Sequence, residues 1–273
     1  MAKKKKSSKK SNKRRLNKLG VCVPVGGQGK TTFSANPALM LAEEGHRVLI
    51  VDGCPSNQLS LYFNVDPAKG VHNFLEGEDL VDLLWEVRPN LNLLPAGDLV
   101  EAESILREDK VFPAAKLEEL MKDWEVNFDF ILFDTAPNYN TLLFFNILFY
   151  VDKIISPVET HRRGFDKLME FAELLESKNA VLRERHNKSP LKIDMVIPNK
   201  HRNTRLNNGV LDLLQEEFGD VVTEPIPLCT GVAQAWRDSE SLSERLQRIK
   251  SPRENELRIL ATLQTIVQNI TNG

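Results

Sequence analysis

The residues best suited to chemistry in this chain lie in one short segment, VGGQGKTT at positions 25–32. Closely spaced glycines let backbone N–H groups converge on an anion without Cβ clashes, and a helix that follows directs its positive end to the same point. An apolar stretch precedes the segment and a helical pattern follows it, which is the context that a phosphate-binding loop requires. The segment therefore predicts a nucleotide-phosphate site formed by Gly26, Gly27, Gln28, Gly29, Lys30, Thr31 and Thr32.

Three side chains account for the predicted chemistry of this site. Lys30 is expected to bridge the β- and γ-phosphate oxygens, and the hydroxyl of Thr31 is expected to bind Mg²⁺. Asp134 ends the apolar run FDFILFD, where a carboxylate can hold the same Mg²⁺ directly or through water. The alternative for Asp134 is a helix-capping role before Thr-Ala-Pro.

Composition limits the class of protein. The 273 residues are 41% hydrophobic, which is enough for one large core. The longest apolar run, LLFFNILFYV at 142–151, is about half the length of a membrane span and predicts core packing. The three cysteines include no C-x-x-C pair and no signal-peptide pattern is present, so we expect a reduced cytoplasmic protein without a membrane partner.

Charge is distributed unevenly along the chain. Residues 1–18 carry eight Lys, two Arg and no acidic residue; subtracting that +10 from the net charge of −2 leaves −12 for residues 19–273. Such a lysine-rich block cannot bury apolar surface, so a disordered basic tail is expected over 1–18. It predicts an arm that binds a polyanion, with nucleic acid favoured over membrane. The alternative is a solvated tail that keeps an acidic body in solution.

The rest of the chain alternates between short β-rich apolar runs and helical stretches. This alternation predicts an α/β fold with a doubly wound, mostly parallel sheet flanked by helices, in one domain over 19–273, with ligands at the carboxyl ends of the strands. Strands are predicted at 19–25, 47–52, 91–96, 128–134, 152–158 and 191–199, and helices at 31–45, 113–124, 163–178, 207–218 and 251–270.

The motifs together resemble those of the ParA/MinD ATPases, a P-loop NTPase family with the loop K-G-G-x-G-K-T-T. Pro24 stands where a strict P-loop begins with glycine, which favours this variant loop. The segments that carry the resemblance are HRVLIVDGCPSNQLSLYF, NLNLLPAGDLVEAE, FDFILFDTAP, ISPVETHRRGFDKL and EPIPLCTGVAQAWRDSESL. The resemblance implies ATP and Mg²⁺ as cofactors and a homodimer that sandwiches ATP. It also implies a nonspecific matrix and a small activating adaptor (ParB- or McdB-like) that help to position a plasmid, chromosome or other cargo.

The resemblance also implies roles for residues outside the loop. Asp52 is the expected catalytic carboxylate of the second motif, while Asn199 and Pro227 are expected beside the adenine; plain strand-end and turn roles are the alternatives for the latter two. The basic stretch at 245–258, with Arg202 and Arg205, is expected to join the tail in binding nonspecific DNA on the nucleoid. For each basic residue alone, a solvated helix face is the alternative. We expect the C-terminal helix to pack on the sheet rather than to act as a membrane anchor.

Two positions depart from the family pattern. Val25 replaces the lysine that in the family reaches the partner's phosphates, a feature shared with the carboxysome-positioning (McdA) branch, although plasmid and chromosomal homologues can also lose it. Lys167, or else Arg163, is the expected substitute cation, with solvated helix residues as the alternative. Cys54 replaces the second motif carboxylate, and a thiol is a poor general base near neutral pH.

The second departure predicts ATP hydrolysis that is slow or partner-stimulated. A nucleotide switch that binds ATP and a partner without hydrolysing it remains an alternative. A metabolic enzyme of the same fold, from the iron–sulfur or synthetase branches, is disfavoured because the cysteines form no ligand set.

Overall fold

A computed structural model describes residues 16–108, 115–183 and 186–272. Most of the predicted basic tail, residues 1–15, lies outside the described residues. The first strand begins at Asn17, so the last two residues of the predicted tail, Asn17 and Lys18, belong to the folded domain.

Within the described residues, seven strands form one sheet in the order β3-β4-β2-β5-β1-β6-β7. All neighbouring strands are parallel except β3, which runs antiparallel to β4 at one edge. This confirms the predicted doubly wound, mostly parallel fold. The strands are β1 (Asn17–Val21), β2 (Val48–Gly53), β3 (Trp85–Arg88), β4 (Leu91–Leu94), β5 (Phe130–Thr135), β6 (Lys153–Glu159) and β7 (Ile193–Asn199).

Helices cover both faces of the sheet, which explains why the central strands are apolar at successive positions. In β5, Phe130 and Leu132 pack into the hydrophobic core on one face, whereas Ile131 and Phe133 pack into the core on the other. The helices are α1 (Lys30–Glu43), α2 (Gln58–Phe63), α3 (Val71–Glu76), α4 (Leu80–Leu83), α5 (Leu99–Glu108), α6 (Lys116–Met121), α7 (Leu142–Tyr150), α8 (Arg162–Leu182), α9 (Arg205–Phe218), α10 (Thr230–Arg237), α11 (Leu242–Arg248) and α12 (Glu254–Asn272).

The apolar run at 142–151 forms α7, and most of its side chains are buried, as predicted. The C-terminal helix α12 buries one face, including Ile259, Ile266 and Ile270, in the core that it shares with α1. This packing agrees with the sequence prediction for the helix. No helix of the described residues combines the length and apolarity needed to cross a bilayer.

Candidate nucleotide-binding site

The phosphate loop lies at the centre of the sheet. β1 pairs with β5 on one side and β6 on the other, and the chain from 22 to 29 connects β1 to the start of α1 at Lys30. The sheet register places both Val21 and Asp52 opposite Asp134. The loop and the two predicted carboxylates therefore meet at the carboxyl ends of adjacent strands, where open α/β sheets bind ligands.

Glycine is required at Gly29 for two reasons. Its φ of +102° lies in the left-handed region, and a Cβ there would approach the side-chain nitrogen of Asn199 to 2.5 Å. Gly27 also has a positive φ, of +80°, but a Cβ there would meet open space. The two conformations turn the loop backbone around the space in front of α1.

Lys30 is held against the loop itself. Its Nζ donates to the carbonyl oxygens of Val25 at 2.8 Å and Val23 at 3.2 Å. Burial lowers the pKa of Lys30, and the negative charge of Asp134 opposes that shift. The ammonium is therefore already positioned in the loop, and the two carbonyl bonds can be exchanged for bonds to phosphate oxygens.

Asp134 has the properties expected of a metal ligand. Its side chain is fully buried, and Oδ1 accepts a hydrogen bond from Ser34 at 3.2 Å. Among the described residues, Oδ2 has no hydrogen-bond partner. Burial, together with the nearby Asp52, raises the pKa of Asp134 to about 7, while the nearby hydroxyls of Thr31 and Ser34 and the charge of Lys30 oppose the shift. A buried carboxylate with an unpartnered oxygen, beside a threonine hydroxyl, fits Mg²⁺.

Both carboxylate oxygens of Asp52 accept hydrogen bonds from the backbone that follows it. Oδ1 accepts from the N–H of Cys54 at 3.0 Å, and Oδ2 accepts from Leu59 at 3.2 Å and Ser60 at 3.4 Å. Burial raises its pKa to about 6, against the effect of those three hydrogen bonds. The carboxylate thus positions the turn between β2 and α2, a role that the sequence did not indicate. Its predicted part in catalysis stays a prediction.

Cys54 lies at the edge of the same space. It lines the cavity in front of the loop, and its Sγ is 3.1 Å from the hydroxyl oxygen of Ser56. The second motif position therefore presents a thiol and a hydroxyl, and no carboxylate, to the cavity.

The cavity has a volume of about 570 Å³ and is bordered by both loop and apolar residues. Asn199 and Pro227 line it, as predicted, but both polar ends of the Asn199 side chain are used by the protein. Its Nδ2 donates to the carbonyl of Gln28 at 2.8 Å, and its Oδ1 accepts from the N–H of Lys200. The predicted residues that line the cavity are Gly26, Gly27, Gly29, Lys30, Thr31, Thr32, Asn199 and Pro227.

Apolar residues that were not predicted from the sequence form another part of the wall. Tyr62 and Trp236 stack with ring centroids 4.4 Å apart, and Phe33 lies beside them in the cavity lining. A cavity lined by an aromatic, apolar wall and by a polar phosphate loop suits a ligand with a planar base and an anionic tail. Trp236 follows the predicted Pro227 segment, but it lies too far along the chain from the loop for any local pattern to connect the two.

Gln28 faces away from the cavity. Its side chain is buried and accepts the N–H of Glu159 through Oε1 at 2.6 Å, which ties the loop to the end of β6. Its backbone can still contribute to the loop, while its side chain maintains the position of that loop.

The predicted substitute cations lie on α8, and their predicted role toward the partner's phosphates stays a prediction. Lys167 lies on α8 and forms an ion pair with Glu170 on the same helix, with 2.5 Å between Nζ and Oε2. Arg163, near the start of α8, is exposed, and neither side chain lines the cavity. The structure instead brings Lys200 to the loop, with Nζ 2.7 Å from the carbonyl oxygen of Gly27. Lys200 was not predicted from the sequence.

The predicted basic surface at 245–258 is partly neutralised. Arg245 pairs with Glu256, and Arg248 pairs with Asp238 and Glu240. Lys250 and Arg258 are exposed, as are Arg202 and Arg205. The exposed members remain available for a polyanion, whereas Arg245 and Arg248 also stabilise the α10–α12 region.

The chain is similar to known proteins along most of its length. Residues 19–188 match the family model described as AAA domain. The chain is 28% identical over 160 residues to the maintenance of carboxysome distribution protein A of Synechococcus elongatus, covering 57% of this chain and 63% of that protein. It is 31% identical over 172 residues to the chromosome-partitioning ATPase Soj of Thermus thermophilus, covering 63% and 66%. Both matches span slightly less than two thirds of the relatives' length.

Solved structures share the fold. The apo McdA structure from Cyanothece has a TM-score of 0.78 at 20% identity and covers 94% of this chain and 99% of its own. A cobyrinic acid a,c-diamide synthase from Mycobacterium smegmatis, solved with an ATP analogue and magnesium, has a TM-score of 0.69 at 25% identity, with coverage of 87% and 98%. The likeness to McdA at this identity shows the fold alone.

The family match covers the segments that form the sheet centre, the phosphate loop and the Asp134 strand. The chain belongs to the AAA-domain family and is a ParA/MinD-like P-loop ATPase.

Proposed function

We propose that this protein binds Mg·ATP and forms a nucleotide-dependent dimer on nonspecific DNA, where it positions a cargo with the help of an adaptor protein. The observation that carries the proposal is Asp134, whose buried carboxylate keeps one oxygen unpartnered among the described residues and beside Thr31. A purely structural carboxylate at that depth is expected to have both oxygens satisfied.

The residues of the chain divide the work of binding. The loop amides and the N-terminus of α1 bind the phosphates, and Lys30 exchanges its carbonyl partners for phosphate oxygens. Thr31 and Asp134 would hold Mg²⁺, which neutralises phosphate charge when bound. The wall that contains Tyr62, Trp236 and Pro227 encloses the base.

Hydrolysis is expected to be slow in the free protein. The Asp52 oxygens already accept three backbone N–H groups, and Cys54 offers a thiol where a carboxylate would orient water. Loss of one group that positions or deprotonates water commonly costs about 10²–10⁴ in rate. We therefore propose that a bound adaptor and DNA complete or stabilise the hydrolytic geometry.

Binding to DNA is proposed from charge and from the relatives. Residues 1–18 have a charge of +10 in sequence, and exposed basic residues continue beyond the domain core at Lys250 and Arg258. The Thermus relative is a chromosome-partitioning ATPase. A basic arm on an acidic body favours contacts to phosphates without base readout.

The proposed role in positioning comes from the relatives. One similar protein maintains carboxysome distribution and another partitions chromosomes, as their names state. Val25 favours the carboxysome-positioning branch, in which the loop lysine is likewise absent. The cargo is therefore proposed to be a carboxysome, chromosome or plasmid, linked through a small McdB- or ParB-like adaptor.

A nucleotide switch without hydrolysis is the second candidate, favoured by Cys54 and by the occupied oxygens of Asp52. Phosphate release measured for the protein alone, with nonspecific DNA, and with DNA plus the adaptor separates the two. The ATPase proposal predicts a slow basal rate that DNA and adaptor increase. Release that stays at the buffer background in all three mixtures supports the switch.

A further inference from the structure

Lys200 is placed at the phosphate loop by an uncommon backbone conformation. It follows β7 directly and has a φ of +50°, which is rare for a residue other than glycine, asparagine or aspartate. This turn brings its side chain over the loop, where Nζ donates to the Gly27 carbonyl at 2.7 Å. Gly27 is two residues after Val25, the position at which the family has its lysine. The conformation of Lys200 therefore places a cation close to that position.

A carboxylate holds that cation in place. Glu159, at the end of β6, accepts from Lys200 Nζ through Oε1 at 2.5 Å, and its Oε2 is 3.1 Å from His161 Nε2. The backbone N–H of Glu159 donates to Gln28. The ends of β6 and β7 and the phosphate loop therefore meet in one small polar network around the Lys200 ammonium.

Lys200 is also positioned to reach a ligand. Its side chain is 41% exposed, and the Glu159 side chain is 22% exposed. Among the described residues, Lys30 and Lys200 are the two cationic side chains that line the cavity. Lys30 lies deep in the loop, whereas Lys200 lies at its outer lip, where Gly26 and Gly27 are exposed.

We propose that Lys200 is a phosphate-binding residue that supplies, at the mouth of the loop, the positive charge that Val25 cannot. Glu159 holds the ammonium until a triphosphate arrives, and the terminal phosphate then takes over as its partner. The amides at the start of α1 and the buried Lys30 hold the inner phosphates, so the exposed ammonium of Lys200 acts mainly on the terminal one. This inference rests on the proposed function, and it identifies the residue that distinguishes triphosphate from diphosphate.

The test is calorimetric titration of the full-length protein with Mg·AMPPNP and with Mg·ADP. Lys200→Asn removes the charge while tolerating the left-handed backbone, and Lys200→Arg keeps the charge. Lys69→Ala is the matched control, because Lys69 is also an exposed lysine in an ion pair with a glutamate, Glu78, but does not line the cavity. Thermal unfolding of each variant checks that the protein is folded.

Lys200→Asn is expected to weaken AMPPNP binding about tenfold or more, the loss of one charge-assisted hydrogen bond. ADP binding should change by less than about threefold, and Lys200→Arg and Lys69→Ala should bind both nucleotides as the wild type does. Glu159→Gln, which releases the ammonium, should bind AMPPNP more tightly. Equal losses for AMPPNP and ADP would show that Lys200 only braces the loop, and would overturn the inference.

The failure of this inference differs from failure of the proposed function. If the wild type binds both nucleotides and Lys200→Asn leaves both affinities unchanged, the role of Lys200 is wrong while the nucleotide site stands. If the wild type binds neither nucleotide, the proposed function itself fails and the inference fails with it.

Discussion

At the scale of single residues, the site depends on charges that are buried before any ligand binds. Asp52 and Asp134 lie on adjacent strands with no exposed surface, and burial raises the pKa of both carboxyl groups. Three backbone N–H groups favour the charged form of Asp52, whereas Lys30 and a bound metal ion are the partners that can favour the charged form of Asp134. Asp134, the proposed metal ligand, therefore also destabilises the ligand-free protein when it is charged.

Asp134→Asn tests how much the buried carboxylate of Asp134 destabilises the ligand-free protein. In the folded protein the pKa of Asp134 is about 7, well above its ordinary value of 3.8. Between those values the folded state keeps a proton that the unfolded chain has released, so stability falls as pH rises through this window. The amide removes that penalty. Asp134→Asn should therefore raise the melting temperature of the nucleotide-free protein at pH 8, and the gain should shrink toward pH 5.

Thermal unfolding followed by circular dichroism from about pH 5 to 8 measures the effect. Asp82→Asn, at an exposed position on α4, is the control and should leave the pH profile unchanged. If the melting temperature of Asp134→Asn changed with pH in the same way as that of the wild type, the proposed destabilisation by charged Asp134 would be wrong. The same variant should lose the stabilisation that Mg·ATP gives to the wild type.

At the scale of elements, the sequence predicted the six parallel strands, but it extended the first one over residues 22–25 of the phosphate loop and missed the edge strand. Runs such as FDFILFD are apolar at successive positions because both faces of β5 are covered, and this pattern is readable without a structure. β3 was missed because WEVR at the sheet edge has exposed residues and no apolar run. Short helices such as α4, with four residues, have too little periodicity to be predicted.

The site also contains residues that the sequence predicted and residues that it did not. The phosphate loop follows β1, and Asp134 and Asn199 lie at the carboxyl ends of β5 and β7, so sequence order predicts that they meet at one edge of the sheet. The position of Lys200 was missed because it depends on a left-handed turn after β7 and on a side chain that crosses to the loop. Lys167 was selected by resemblance for a contact with the partner's phosphates; within the described residues it pairs with Glu170, and its predicted role stays a prediction.

The packing of α12 gives a prediction for this element. Ile266 on α12 is fully buried in the core that the helix shares with α1, whereas Leu257 on the same helix is 49% exposed. Ile266→Ala should lower the free energy of unfolding by about 2–5 kcal/mol, because it removes buried methyl groups and leaves a cavity. Leu257→Ala should change it by less than about 0.5 kcal/mol. Urea unfolding in lipid-free buffer measures the free energy of unfolding of both variants. Equal small effects would contradict the packing of α12 on the domain.

At the scale of the whole molecule, the separation of charge predicts how the protein meets DNA. Residues 1–15 carry seven Lys, two Arg and no acidic residue, so a charge of +9 precedes a remainder of −11, and such a block should bind phosphates with a steep dependence on salt. Deleting residues 1–15 should reduce the slope of log affinity against log salt by about 0.9 for each DNA phosphate that the tail neutralises in the intact protein. Arg248→Gln should change the slope little, because Arg248 is already paired with Asp238 and Glu240.

Anisotropy of a labelled nonspecific duplex, measured with AMPPNP between about 50 and 200 mM salt, tests this prediction. A wild-type affinity that does not change across that range would remove DNA as the matrix. If the slope of log affinity against log salt did not change after the deletion, the DNA-binding surface would lie on the folded domain and not on the tail.

The central claim is that the loop between β1 and α1 binds a magnesium-bound triphosphate, and titration of the full-length protein with Mg·ATP in a calorimeter tests it most directly. We expect saturable binding to the wild type and a loss of about 100-fold or more in Gly29→Ala, whose Cβ would meet Asn199 at 2.5 Å in a left-handed backbone. No binding to the wild type, or equal binding to Gly29→Ala, would contradict it.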